Sequence, residues 1–77
     1  MRNLEEFVKL NAGEQSLVKW QFREHGSFWT AVWEAICKAD EANLARMAKA
    51  FPLHTVAYKN YTSVPGWWED LIRRVGR

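Results

Sequence analysis

Three side chains in this 77-residue sequence have the chemistry of a nucleophile or a base: Cys37, His25 and His54. A thiol–imidazole catalyst needs a histidine beside the thiol and a third group to orient the ring, and no spacing here supplies that arrangement. Cys37 falls at the edge of an apolar helical arc and is expected to be a small core residue. His25 stands just before Gly26, where an imidazole can contact the last carbonyls of a helix. His54 falls in the first turn of a later helix and is expected at the surface. A metal site would need three or four regularly spaced ligands, and neither His-x-x-x-His nor Cys-x-x-Cys occurs. Glu69 and Asp70 are adjacent, so on a helix they point about 100° apart and form no carboxylate pair. There is no glycine-rich phosphate loop. The expectation is a protein that is not an enzyme and needs neither cofactor nor metal.

Recognition is better represented than catalysis. The sequence holds five tryptophans, more than so small a core readily encloses. Trp29 and Trp33 lie on one predicted helix, Trp20 lies in an ambiguous segment, and Trp67-Trp68 follow a Pro-Gly turn. Two adjacent helical residues cannot both point at the centre of a core. Because Trp and Tyr dominate interface hot spots, Trp67, Trp68, Tyr58 and Tyr61 are the candidate protein-binding residues. A second candidate set is basic. Acidic and basic residues balance before Phe51, and the net charge of +2 arises from Lys59, Arg73, Arg74 and Arg77 against Glu69 and Asp70. Those four could contact phosphates, which makes nucleic-acid binding the alternative reading. A helix-turn-helix over Asp40–Tyr61 would offer only His54, Thr55, Tyr58 and Lys59 to a groove, a thin basic set.

The elements that must position these residues are helical. The centre of the pattern is Ser27–Asp40, where Phe28, Trp29, Val32, Trp33, Ile36 and Cys37 share one side and Ala35 and Ala39 widen it. Such a broad arc predicts a helix packed by several neighbours, with Ser27 as its cap after the break at Gly26. Upstream, Asn3 can cap a first helix with Leu4, Phe7 and Val8 on one face, and Asn11-Ala12-Gly13 reads as its stop. Glu14–His25 alternates apolar and polar residues at Val18, Trp20 and Phe22, as a strand would, but Leu17 breaks the alternation and no pairing strand exists. The helix reading is preferred there.

Downstream, Asp40 can cap a helix bearing Leu44, Met47, Ala48 and Phe51. Pro52 suits the first position of the next helix, whose apolar face is Leu53, Val56, Ala57 and Tyr61. Thr62–Gly66 is a turn. Trp67, Trp68, Leu71, Ile72 and Val75 then share a face, with acids early, arginines late and Gly76 at a natural stop. The predicted architecture is all-α: one domain over residues 1–77, a compact bundle of five to six short helices around the aromatic-rich helix near residues 27–39.

With one cysteine and no structural zinc, stability must come from packing, and 48% hydrophobic residues can supply it. No signal peptide is visible in Met1–Leu10 and no stretch is long enough to span a membrane. A cytoplasmic protein is expected.

His25-Gly26-Ser27-Phe28, Ala39-Asp40, Asn43-Leu44 and Ala50-Phe51-Pro52, with Tyr61 and Gly66-Trp67-Trp68 beyond, resemble a pattern in short α-helical proteins of bacteriophages and other mobile elements. The resemblance covers half the chain and implies a mobile-element accessory protein without implying an activity or a site. Together these readings predict a small binding protein acting through protein–protein contact, such as an adaptor or an inhibitor of host machinery. Its partner is an unidentified protein, and a homodimer through an aromatic face is compatible with this.

Overall fold

The computed structural model describes residues 3–77, so the first two positions of the expected domain lie outside the described residues. Six helices follow one another: α1 (Leu4–Val8), α2 (Ala12–Gln21), α3 (Ser27–Lys38), α4 (Glu41–Ala50), α5 (Pro52–Ser63) and α6 (Trp67–Arg74). No strand occurs among the described residues, and the all-α expectation holds.

Local chemistry sets most of the helix ends. The Asn3 side chain accepts the Glu6 N–H at 3.3 Å, and Asp40 accepts the Asn43 N–H at 2.8 Å. Pro52 opens α5, where its missing N–H is no loss. Asn11, expected within a stop, instead starts α2 through a reciprocal cap: Asn11 Oδ1 accepts the Glu14 N–H at 2.8 Å and Glu14 Oε1 accepts the Asn11 N–H at 3.0 Å. Two otherwise orphaned donors are satisfied at once. Gly26, not Ser27, precedes the first turn of α3.

Gly13 is therefore inside α2, against the expectation. A Cβ there would fall on the Leu53 carbonyl and 2.6 Å from the His54 nitrogen. The glycine lets the backbones of α2 and α5 touch. Gly13, Ser16, Leu17 and Trp20 lie at i, i+3, i+4 and i+7, the face α2 turns inward. Gly13, Ser16 and Leu17 on it are buried.

The core has two joined clusters. Phe7, Leu10, Val18, Leu71 and Val75 form the smaller one, and Leu17, Val32, Trp33, Ile36 and Ala57 the larger. Trp67 and Trp68 pack against both. Trp33, with no exposed surface, lies parallel to Trp20 at 5.4 Å between ring centroids. The described chain measures 36 × 28 × 17 Å. A thickness of 17 Å fits two layers of helices at the usual spacing, so each helix keeps a face to solvent.

That flatness explains several departures from the helical-wheel reading. The buried strip of α3 narrows to Val32, Trp33 and Ile36, while Phe28, Ala35 and Cys37 are exposed. Cys37 is thus not a core residue. On α5 the buried residues are His54, Thr55 and Ala57, and Leu53 and Val56 face solvent. The buried face of α5 is rotated from the expected apolar one, taking in the polar His54 and Thr55 in place of Leu53 and Val56. Among the described residues no helix is long and apolar enough to cross a membrane.

Candidate functional site

Two places gather the residues capable of recognition. The first begins where α2 ends. Arg23 adopts a left-handed conformation, φ 58°, and is the one non-glycine residue with positive φ among those described. The turn closes with the Glu24 N–H on the Lys19 carbonyl at 2.7 Å and the Arg23 N–H on the Trp20 carbonyl at 3.1 Å. This is the pattern in which glycine normally occupies the left-handed position.

The chain then returns through His25, whose Nε2 lies 2.7 Å from the Ser16 hydroxyl oxygen. The buried Trp33 indole donates to the same oxygen at 2.9 Å. An indole N–H can only donate, so Ser16 accepts there, while the direction of its bond to Nε2 is set by the His25 tautomer. Burial, and then the nearby charge of Lys19, hold the His25 pKa below its usual range. The expected contact of His25 with helix-end carbonyls is replaced by this side-chain bond.

His54 is buried rather than exposed. Its ring lies parallel to Trp29 at 4.8 Å, and His25 also stacks on Trp29 at 6.0 Å. Burial is the main cause of its lowered pKa, with the neighbouring His25 second. The Ser16–His25 pair resembles half of a hydrolytic dyad, but Ser16 is a buried residue whose oxygen already accepts from Trp33. No carboxylate hydrogen-bonds to His25 among the described residues, so nothing orients it as a base. The pair is a structural link.

Beside this network lies an open groove of about 510 Å³ lined by Trp20, Gln21, Arg23, His25 and Thr30. Sequence reasoning did not find it. Arginine carries no signal for the left-handed turn that brings Arg23 to the groove, and the small residues Gly13 and Ser16 were the one legible hint of the α2 packing beneath.

The second place is the corner after α5. Thr62–Gly66, Tyr61, Trp68 and Glu69 line a shallow groove of about 190 Å³. Tyr61 meets Trp68 edge to face at 5.3 Å. Of the four predicted protein-binding residues, the fold brings Tyr61 and Trp68 together here. Tyr58 and Trp67 do not line this groove; each is half-buried against the larger cluster, and Trp67 also against the smaller one. Val64 is exposed at the corner.

The four candidate phosphate contacts are dispersed in role. Arg77 donates to Glu24 at 2.7 Å and its guanidinium lies 4.4 Å from the Phe22 ring centre. This bond holds the Glu24 carboxyl below its usual pKa range. Arg73 pairs with Asp70 on its own helix. Lys59 and Arg74 are exposed.

Cys37 stands alone at the surface of α3, its pKa raised by partial burial and then by Glu34. Among the described residues no cluster of three His, Cys, Asp or Glu side chains is placed to hold a metal. Compared with known proteins, the chain matches no family, no curated protein and no solved structure.

Proposed function

We propose that this is a small non-catalytic binding protein that acts through protein–protein contact at the Tyr61–Trp68 corner. The observation carrying this reading is the pairing of the two rings in a groove whose margin includes exposed Val64. Half-buried aromatics seated on a rigid core present apolar area with little ordering entropy left to lose. Glu69 is the one charged residue of the lining. A partner segment offering an apolar side chain next to a lysine or arginine fits that chemistry. The resemblance to mobile-element proteins supports an accessory role, as adaptor or inhibitor, in the cytoplasm.

The nucleic-acid alternative draws less support, because Arg73 and Arg77 are already engaged by Asp70 and Glu24. Capture from a lysate of the source cell tests the proposal. The wild-type chain retains a stoichiometric protein, and Val64→Asp, at an exposed position outside both core clusters, loses it while melting at the same temperature. Equal capture by both chains overturns the assignment of this corner. Retention of nucleic acid alone, released steeply by salt, favours the alternative.

A further inference from the structure

We propose that the groove beside Arg23 is a second binding site, for a small organic anion carrying a flat apolar group. Arg23 and Gln21 hold the acidic group, and the body of the ligand lies against Trp20. The site shares no lining residue with the Tyr61–Trp68 corner.

The lining is one-sided in charge. It contains a guanidinium, an amide, an imidazole, a hydroxyl and an indole, and no carboxylate. Glu24, the nearest acid in sequence, is engaged by Arg77 at 2.7 Å. Lys19 adds positive field from the last turn of α2, a field that, after burial, lowers the His25 pKa. His25 adds its imidazole to the lining, with Nε2 held 2.7 Å from the Ser16 hydroxyl oxygen. Thr30 Oγ1 donates to the Gly26 carbonyl at 3.0 Å and so offers the groove a lone pair, suited to a hydroxyl or amide on the ligand. Trp20 is fixed by stacking on the buried Trp33, which makes its ring a rigid wall.

Arg23 is the residue that points to use. Arg46, Arg73 and Arg77 each donate to a side-chain oxygen, whereas the side chains of Arg23 and Arg74 make no hydrogen bond to another described residue, and of these two Arg23 lines this groove. Its backbone is left-handed, a conformation that strains an L side chain and that glycine adopts freely. A planar five-donor group held in a strained turn at the mouth of a polar groove is well matched to a carboxylate or phosphate.

Two-dimensional NMR of the full chain with phenyl phosphate, inorganic phosphate and phenol as probes tests this. Phenyl phosphate gives saturable shifts at the Trp20 indole and the Arg23 side chain, inorganic phosphate shifts the same signals with weaker affinity, and phenol leaves them unmoved. Arg23→Gly suits the turn and keeps the fold, and it weakens phenyl phosphate by about tenfold or more, while Arg23→Lys retains part of the binding. Absence of saturation, or an unchanged isotherm in Arg23→Gly, overturns the site. Phenol binding as well as phenyl phosphate overturns its anion preference, and inorganic phosphate binding as well overturns the role of Trp20.

Discussion

Helices α2 and α6 end with one hydrogen-bond pattern and two different residues. After α6 the Gly76 N–H meets the Arg73 carbonyl at 3.1 Å and the Arg77 N–H meets Ile72 at 2.8 Å, with Gly76 at φ 78°. After α2 the equivalent bonds are made around Arg23 at φ 58°. The two turns even touch, since Arg77 lies on Phe22 and Glu24. At α6 the residue itself prefers the conformation. At α2 it does not, so contacts elsewhere must impose it: the backbone seat of Gly13 on α5 at one end, and the Ser16–His25–Trp33 network at the other. One end is chosen locally and one is enforced from a distance.

The sharpest break of that contrast is Gly13→Ala. Helix propensity alone predicts a gain of up to about 1 kcal/mol. The added Cβ collides with the Leu53–His54 backbone, which cannot rotate aside as a side chain would, so α2 must lift from α5. Overpacking of this kind costs about 3 kcal/mol. Urea denaturation should show a loss of that order, and a gain would mean that α2 is not held by this seat.

Ser16→Ala attacks the other fastening. It leaves the Trp33 indole N–H buried without an acceptor and frees His25. The expected loss is about 1–3 kcal/mol. Amide exchange should quicken at Arg23 and Glu24 far more than at Gly76 and Arg77. Equal effects at the two turns would show that the α2 end does not depend on this network.

A reciprocal pair measures the turns directly. Arg23→Gly removes the left-handed strain and should raise stability by about 0.5 kcal/mol, the entropy of a freer unfolded chain offsetting part of the gain. Gly76→Ala introduces the same strain and should lower stability by about 1 kcal/mol. Thermal melts can resolve both, since 1 kcal/mol moves the midpoint of a domain this size by about 4–8 °C. If Arg23→Gly destabilises, the arginine is retained for the fold and not for the groove.

The same contrast explains what could be read in advance. Asn3, Asp40, Pro52 and Gly76 were legible because each acts on its own backbone within a few residues, and the apolar strip of α6 was legible because Leu71 and Val75 obey helical spacing. Asn11-x-x-Glu14 carried the signature of a reciprocal cap but was obscured by Gly13, whose partner lies forty residues away on α5. Cys37 lay on the right side of α3 but beyond the part that the second helix layer covers, whereas His54 lies on a buried face of α5 that the apolar residues Leu53 and Val56 do not mark. Of the candidate sites, the Tyr61–Trp68 corner was visible as an aromatic excess beside a Pro-Gly turn. The Arg23 groove was not, because its shape depends on a turn that its sequence does not prefer.

Acidification should separate the two ends with the smallest effect at neutral pH, where both imidazoles are already uncharged. The folded pKa values of His25 and His54 lie below the ordinary 6.5, chiefly because burial disfavours the charged ring. Below 6.5 the unfolded chain therefore binds more protons than the folded one, and stability falls as pH falls. The full contribution is present above that value and is lost progressively toward the lowered folded pKa values. His25 is two residues beyond Arg23 and bonded to Ser16, so protonation acts on the α2 end. No histidine is near Gly76 in sequence, and its turn is made from backbone groups that do not titrate in this range. Amide exchange compared at pH 5 and pH 7.5, corrected for its intrinsic pH dependence, should show protection lost at Arg23 and Glu24 first. A uniform loss at both turns would assign the acid sensitivity to global unfolding through His54, and His54→Gln would then remove it where His25→Gln would not.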